Sequence, residues 1–498
     1  MKNIIPYQLE LCQALPEIFG SIDYINFKNN LLRIEKIIEE YKLEDTIIEY
    51  NLKKRELERK EKKQRKLSFK EKINIKKESI QALYCIIAKN ITQDSFRDFS
   101  CRLGDSVLFQ TFCKINNFGE IKIPGKSILQ RFSKMVPDEL IKQINNKLML
   151  CVIENKEKIN LKEPIILENI YYDTTCVESN IHFPVDWLLL RDIIKSLMKS
   201  VILIRGKGLK NRMNTPQQFI KTINQLCIKM THTRRKVKGK KMRKKIFREM
   251  KKLTKKVEKH AKIHFELLKE NWEESGFTET KKKQILKRIE NVLEKLPQAI
   301  YQAQERIIGE RYVPSKEKIL SIHEENVNII VRGKASAEVE FGNKLLIAEI
   351  KNGLIVDWEL YKDGSPSDSK MMPESLDRIY NNYGEKIEIK SVTADRGFVN
   401  KTTDKYLERK KIKNHICPKA VNLLEEKLKD EFFCEDQTRR SQTEGRIGIV
   451  KNNFLGKPFR NKGFESRNIG VSWNILAHNL WVISRLLQKE VVEEIKIA

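Results

Sequence analysis

Two strand-like runs that each lead to an aspartate constrain the fold of this chain more than any other feature. The first run, "IILENIYY" at 165–172, is mostly apolar, and Asp173 follows it. The second run, "IEIKSVTA" at 387–394, alternates in polarity, and Asp395 follows it. A buried strand end gains no stability from a lone carboxylate, because desolvation disfavours the charge. We therefore predict that both strands end on these aspartates and that the two carboxylates share a cation.

A divalent metal would relieve the repulsion between two such carboxylates, and ligands that are all oxygen favour Mg²⁺ or Mn²⁺. The predicted C-terminal helix offers a third acid, Glu444, in "RRSQTEGRIGIVKNNF". Arg440 lies four residues before Glu444 and Lys451 seven after it, so helical periodicity places all three on one face. Glu444 alone would also suit a surface helix with ordinary ion pairing. Together with the two aspartates, it favours a metal site.

The charge of the chain points to a polyanionic partner. Lys and Arg exceed Asp and Glu by 97 to 67, which gives a net charge of +30, and nucleic acid is the first candidate. Residues 231–260 are strongly basic and poor in apolar residues, which argues against a core helix. They form either a solvated arm of a long helix pair or a surface that faces DNA. The second alternative is favoured, because so many like charges repel one another unless a polyanion lies beside them. The predicted DNA-contacting residues are Arg234, Arg235, Lys236, Lys240, Lys241, Arg243 and Lys244.

The periodicity of apolar residues divides the chain into four predicted parts. Residues 1–75 form a helical segment with a basic arm. Residues 76–160 form a helical DNA-binding domain, for which a helix-turn-helix is one candidate arrangement. Residues 161–490 form an α/β catalytic domain, and a basic helical insertion occupies 190–318. The order strand, helical excursion, hairpin-like strands, helix, strand, helix, strand, helix predicts a mixed sheet and is compatible with a ribonuclease H-like fold.

Cysteine usage and hydropathy bear on the class of protein. The nine cysteines include no C-x-x-C pair, which favours a reduced cytoplasmic protein over a zinc or disulfide scaffold. No apolar run approaches the roughly 20 residues that span a bilayer. We therefore expect no membrane association.

Four segments of the chain resemble the DDE transposases of bacterial insertion sequences. In chain order they correspond to the family's first-aspartate segment, its segment between sheet and helix, its second-aspartate segment and its glutamate helix. They read "YYDTTCVESNIHFPVDWLLLRDII", "YKDGSPSDSKMMPESLDRIY", "VTADRGFVN" and "RRSQTEGRIGIVKNNFLGKPFRNKG". The resemblance covers roughly 165–190 and 320–485, and residues 76–150 resemble the helical N-terminal domain of such enzymes less specifically.

The resemblance implies a ribonuclease H-like catalytic domain with an all-α insertion after the first strand and an all-α N-terminal domain. It implies that Asp173, Asp395 and Glu444 are the catalytic triad and hold two Mg²⁺ or Mn²⁺ ions. The implied activity is cleavage of phosphodiester bonds at transposon ends and transfer of the 3′-hydroxyl strands into target DNA. The implied partners are double-stranded DNA and at least one further copy of the chain, in the bacterial nucleoid.

The resemblance also assigns residues around the triad. Arg440 and Lys451 match the arginine and lysine of a signature on the glutamate helix, which implies that they hold phosphates. Gln437 stands where that signature has a tyrosine. Two alternatives remain, a nuclease of the same fold without strand transfer and a DNA-binding derivative without catalysis. The presence of all three acids disfavours the derivative.

Overall fold

The computed structural model describes residues 15, 18–115, 120–154, 156–233, 238–334, 337–364, 366–456 and 459–487. The helices before the first strand are α1 (Ile22–Glu40), α2 (Leu43–Glu61), α3 (Phe69–Thr92), α4 (Phe96–Asp105), α5 (Val107–Phe112), α6 (Lys126–Ser133) and α7 (Asp138–Glu154). Between the first two strands lie α8 (Asp186–Arg205), α9 (Pro216–His232), α10 (Gly239–Glu270) and α11 (Glu279–Ile307). The later helices are α12 (Asp368–Tyr383), α13 (Lys401–Arg409), α14 (Val421–Lys427), α15 (Glu431–Ile449) and α16 (Phe464–Leu486).

Local sequence signals account for the start of several helices. Ser68 accepts a hydrogen bond from the backbone N–H of Glu71, whose carboxylate accepts one from the N–H of Ser68, so a capping box begins α3. Ser95 caps α4 through a hydrogen bond from the N–H of Asp98. Pro216 occupies the first position of α9, where its fixed φ suits the helix and its missing donor costs nothing.

The strands form one mixed sheet, as predicted. They are β1 (Asn169–Glu178), β2 (Asn328–Lys334), β3 (Ala337–Ile350), β4 (Ile355–Leu360), β5 (Ser391–Ala394) and β6 (Lys413–Ile416). The sheet order is β2-β3-β1-β5-β6, and β4 pairs with β3. The β1–β5 and β5–β6 pairs are parallel, whereas β2–β3 and β3–β4 are antiparallel.

Two compact units divide the chain, with boundaries after Glu178 and after Gly342. The first unit contains α1–α7, β1, β4 to β6 and α12–α16. The second unit contains α8–α11 and β2, and β3 begins in the second unit and ends in the first. In chain order the second unit therefore follows the first strand, and it is mainly helical.

The first unit has a core on each face of its part of the sheet. Side chains alternate between the two faces of a strand, and β3 shows this directly. Leu346 and Ala348 join a core that includes helices from both ends of the described chain, α1 to α7 and α16. Leu345 and Ile347 face the other way and pack with Ile447 of α15. Helix α15 therefore covers the second face of the sheet.

The second unit corrects one prediction. The interpretation of residues 231–260 as too poor in apolar residues for a core helix is wrong. Helix α10 buries Phe247, Met250 and Val257 almost completely, and it packs against α8, α9 and α11. Apolar residues spaced three, four or seven apart suffice for a buried stripe, while Lys and Arg fill the other positions with their charged ends in water.

Within the described ranges, no helix is both long enough and apolar enough to cross a membrane. The cysteines in those ranges are all free thiols.

Candidate active site

Asp173 and Asp395 occupy matching positions on two neighbouring parallel strands. The register of β1 and β5 pairs Tyr171 with Thr393, and each aspartate follows two residues later. Adjacent strands lie about 4.8 Å apart in the hydrogen-bonding direction. The sheet therefore brings together two carboxylates that lie far apart in sequence.

The two aspartates differ in how their strands continue. Asp395 directly follows Ala394, the last residue of β5, as predicted. The prediction that the first strand ends at Asp173 is wrong, because β1 continues to Glu178. The reason is the sheet order, since β1 has β3 as its other neighbour and remains paired after β5 has ended.

Tyr171, two residues before Asp173 on β1, shows on which face of the sheet Asp173 lies. Residues two apart on a strand share a face, and the Tyr171 hydroxyl donates a 2.7 Å hydrogen bond to Oδ1 of Asp436 on α15. Asp173 therefore lies on the face that α15 covers, which is the helix that carries Glu444.

A hydrogen-bond network around Asp436 holds the first half of α15 on the sheet. Asp436 also accepts a hydrogen bond from the Ser391 hydroxyl at 3.0 Å and lies 2.7 Å from Nδ1 of His415. Burial raises the pKa of Asp436, but the hydrogen bonds with His415, Tyr171 and Ser391 outweigh this effect and lower it. The ionised carboxylate thus ties the helix to β1, β5 and β6 together.

A buried ion pair holds the middle of α15. Glu349 on β3 is fully buried, and its Oε1 lies 3.0 Å from Nη2 of Arg439 and accepts a 2.8 Å hydrogen bond from the Thr443 hydroxyl. The Arg439 guanidinium also lies 4.9 Å from the centre of the Tyr171 ring. These contacts fix the turn of α15 that precedes Glu444.

Gln437 links the strand end at Asp395 to the side chains on α15. Its Nε2 donates to the carbonyl of His415 at 2.6 Å and to that of Ala394 at 3.3 Å. Its Oε1 accepts a 3.2 Å hydrogen bond from Nε of Arg440, whose Nη1 donates to Oε1 of Glu444 at 3.0 Å. In the sequence Gln437 stands out only as a departure from the signature, whereas in the structure it connects the strand end to Arg440.

Arg440 and Glu444 contact each other as helical spacing predicted, but Lys451 does not join them. It lies in a π-helical turn, Val450–Leu455, and its Nζ is 3.9 Å from Oε1 of Glu178. The Lys451 side chain is mostly buried, whereas that of Glu444 is 61% exposed. Glu444 is therefore held mainly by Arg440.

The electrostatics of Asp173 reflect its burial and the charges of the other two acids. Burial raises the pKa of the Asp173 carboxyl to about 6, and the charges of Asp395 and Glu444 raise it as well. A 2.6 Å hydrogen bond from the backbone N–H of Thr174 and the charge of Arg440 act in the opposite direction. At neutral pH an ionised Asp173 thus carries an unfavourable energy that a cation would relieve.

This shift predicts a pH-dependent stability for the metal-free protein. The pKa of Asp173 lies above its ordinary value of 3.8, so the native state binds the proton more tightly and the free energy of unfolding falls as the pH rises from about 4 to about 6. Asp173→Asn removes this cost. We expect the variant to be more stable than the wild type at pH 7.5 by up to about 3 kcal/mol, and equally stable at pH 4.

Urea unfolding at both pH values measures this difference. Asp105→Asn is the matched control, because Asp105 is an exposed acid of the same unit and its replacement makes the same chemical change away from the site. An Asp173→Asn variant that is less stable than wild type at pH 7.5 would contradict the assigned burial cost.

Asp368, the first residue of α12, makes contacts beyond its own helix. It forms an ion pair with Lys344, and its Oδ1 accepts a 3.3 Å hydrogen bond from the Thr174 hydroxyl. A Cβ added at Gly397 would lie 2.8 Å from Oδ2 of Asp368 and 3.0 Å from Oδ1 of Asp395. The glycine two residues after Asp395 thus leaves room for both carboxylates. In the sequence, this glycine is visible in the pattern "ADRGF".

The predicted DNA-contacting residues of the second unit are only partly described. Arg234, Arg235 and Lys236 lie outside the described residues. Lys240 and Lys244 both pair with Glu310, at 3.2 and 2.9 Å. Lys241 is exposed and Arg243 is half-buried. One glutamate therefore offsets part of the charge at the start of α10.

The donor set of the site suits a hard divalent cation, because it consists of carboxylate oxygens. Among the residues that the structure describes, however, no three His, Cys, Asp or Glu side chains converge closely enough to enclose a metal ion. Asp173 and Asp395 lie on adjacent strands, while Glu444 is engaged by Arg440. The matching position of Asp173 and Asp395 on adjacent strands is the observation that favours a bound cation at this place, and the raised pKa of Asp173 agrees with it.

The chain matches no protein-family model, no curated protein and no solved structure. The roles of these residues therefore rest on their geometry and chemistry.

Proposed function

We propose that this protein is a metal-dependent DNA transposase of the DDE type, with Asp173, Asp395 and Glu444 as its catalytic acids. The observation that carries the proposal is the matching position of the two aspartates on adjacent parallel strands, with the charge of Glu444 acting on the same carboxyl. An arrangement that brings carboxylates together destabilises the fold, because like charges repel. Ion pairs that serve only stability join opposite charges instead, so this arrangement favours a functional site.

The order of elements supports a ribonuclease H-like catalytic domain. One strand, a helical excursion, three antiparallel strands, a helix, a strand, a helix, a strand and further helices follow one another in the chain. The same order was predicted from periodicity. The helix that carries Glu444 packs on the face of the sheet to which Asp173 belongs.

Asp173, Asp395 and Glu444 would hold Mg²⁺ or Mn²⁺. When bound, such ions polarise a phosphoryl oxygen and lower the pKa of water or of a 3′-hydroxyl. The protein's own contribution is to position these acids through β1, β5 and the anchored helix α15. A nucleophile supplied by water or by DNA removes the need for a covalent protein–DNA intermediate.

Arg440 would bind a phosphate of the DNA. A guanidinium presents several N–H donors in a plane and binds phosphate oxygens in pairs. The Arg440 Nη1 now satisfies Glu444, and Gln437 holds its Nε. An incoming phosphate would compete with Glu444 for Arg440 and free that carboxylate for the metal.

A strand-transfer assay tests the proposal. The protein is incubated with Mg²⁺, target plasmid and DNA that carries the inverted repeats flanking its own gene. We expect cleavage at the repeat ends and joining of the freed 3′ ends to the plasmid. Cleavage without joining would indicate a nuclease, and binding without cleavage a non-catalytic derivative.

Binding of DNA should depend strongly on salt, because Lys and Arg release counterions from the phosphates. Neutralising four residues at the start of α10 should reduce the slope of log affinity against log salt by roughly one for each phosphate that the variant no longer neutralises. The four residues are Lys240, Lys241, Arg243 and Lys244.

A comparison variant neutralises four exposed lysines of the predicted basic arm, in the second half of α2 and just after it. They are Lys53, Lys60, Lys62 and Lys63. Fluorescence anisotropy at several salt concentrations measures both slopes. Equal slopes in the α10 variant and the wild type would show that the start of α10 is a solvated surface.

A further inference from the structure

A polar cleft in the first unit lies apart from the predicted catalytic acids. Residues of α3, α4, α6 and α16 line it, together with the segment that follows α15, and its volume is about 590 Å³. Small-molecule sites have volumes of roughly 300–1,000 Å³. None of the three predicted catalytic acids lines this cleft.

Two buried asparagines that line the cleft carry unsatisfied amide groups. Asn90 and Asn474 are each 3% exposed. Oδ1 of Asn90 accepts a hydrogen bond from Lys89, and Nδ2 of Asn474 donates to the carbonyl of Gly470. Within the described residues, Nδ2 of Asn90 and Oδ1 of Asn474 have no hydrogen-bond partner. A buried amide without a partner destabilises the fold. Both atoms are themselves buried but belong to residues that line the same cleft, so a ligand that displaces the side chains covering them would gain one donor and one acceptor.

The charge of the cleft favours an anion. Four cationic side chains line it, namely Lys89, Arg97, Lys126 and Arg460. The two acids of the lining are already engaged, since Asp94 pairs with Arg102 at 2.5 Å and Asp98 accepts a 2.6 Å hydrogen bond from Ser95. The cations therefore outnumber the acids, and the acids have partners of their own.

Two further features strengthen the preference for an anion. The N-terminal turn of α4, residues 95–98, lines the cleft, and the N-terminus of a helix carries a partial positive charge. Burial lowers the pKa of Lys89 to about 8, with Arg460 acting in the same direction and Asp94 against it. A bound anion would offset the cost of the buried ammonium.

The cleft also has apolar, aromatic walls. Phe96, Phe454, Phe459 and Trp473 are among its lining residues. Aromatic rings suit a nucleobase, amide donors and acceptors suit its edge, and cations suit a phosphate. We propose that this cleft binds a single nucleotide unit, with the phosphate towards the cationic side chains and the base towards Asn90 and Asn474.

Two sources could supply this chemistry, a free nucleotide or an unpaired nucleotide of a DNA strand. The proposal does not depend on the predicted transposase activity, because it concerns different residues and is tested by binding without metal. A protein that failed to cleave DNA could still bind a nucleotide here, and the reverse also holds.

Calorimetric titration of the full chain tests the proposal. The probes are the four deoxynucleoside 5′-monophosphates, inorganic phosphate, and two DNA duplexes that differ only in one unpaired nucleotide. Lys126→Gln is compared with Arg131→Gln, which makes the same charge change on the same helix at a position outside the cleft lining. Asn474→Leu removes the free acceptor, and Arg460→Gln provides a second cleft variant if Asn474→Leu fails to fold.

We expect Lys126→Gln and Arg460→Gln to weaken binding of the nucleotide probe roughly tenfold, as befits a charged hydrogen bond, and Arg131→Gln to change it less than about twofold. Asn474→Leu should weaken nucleotide binding but leave phosphate binding unchanged. Binding of the monophosphates indicates a free nucleotide, and preference for the duplex with the unpaired nucleotide indicates a DNA strand. Binding of no probe, equal binding of phosphate and nucleotides, or equal weakening by Arg131→Gln would each overturn the proposal.

Discussion

Asp395→Asn is expected to reduce metal-dependent cleavage of DNA by at least about a thousandfold if the protein is the proposed transposase, because the metals that the three acids would hold would lower the barrier by several kcal/mol. The substitution keeps the shape of the side chain and its hydrogen bond to the N–H of Gly397. The affinity for DNA should change by less than about threefold, since on this proposal it would arise from the basic surface. Single-turnover cleavage rates and fluorescence anisotropy measure the two effects separately.

The same reduction is expected for Asp173→Asn and Glu444→Gln. Glu435→Gln is the matched control for the glutamate, because Glu435 lies exposed on the same helix. Asp105→Asn is the control for the aspartates. Asp368 is unsuitable as a control, since it contacts Thr174 and pairs with Lys344. Cleavage by Asp395→Asn at a near-normal rate would remove that residue from the catalytic site.

Arg439→Met is expected to destabilise the protein by about 3–5 kcal/mol, because it leaves the buried carboxylate of Glu349 without its nearest cation. Water cannot compensate for the missing charge, since the Glu349 side chain is fully buried. The next cation, Arg446, has its Nε 3.9 Å from Glu349. Denaturant unfolding measures the change. Cleavage should fall as well, because Glu349 no longer anchors the turn of α15 that precedes Glu444.

A double variant tests whether the buried charge is the cause. Glu349→Gln combined with Arg439→Met removes both charges and should be more stable than the single variant Arg439→Met. Arg55→Met is the control, since Arg55 forms an exposed ion pair with Glu58 and its replacement should cost less than about 1 kcal/mol. A double variant less stable than Arg439→Met would assign the effect to poorer packing instead.

The two strands that lead to the aspartates show which strand ends the periodicity of the sequence can predict. The alternation of "IEIKSVTA" predicted a strand over 387–394, and β5 ends before Asp395 as predicted but begins only at Ser391. The same reasoning placed the end of the first strand at Asp173, and β1 continues further, to Glu178. A strand ends where its partners end, and the identity of the second partner, β3, is not encoded near Asp173.

Helix α10 shows where an inference from composition is wrong. Its abundance of Lys and Arg suggested a surface arm, but a narrow apolar stripe places it in the core of the second unit. Composition averages over all faces of a helix, whereas packing depends on one face alone.

The sequence by itself determined the kind and order of the elements and which acids were candidates, because these depend on local periodicity and on side-chain chemistry. Only the tertiary structure decided which residues meet. The parallel pairing of β1 with β5 brings Asp173 beside Asp395, and Asp436, Gln437 and Arg439 anchor α15 over them. Contacts of this kind join residues far apart in the chain, so their free energy depends on the whole packed arrangement and leaves no local pattern to read.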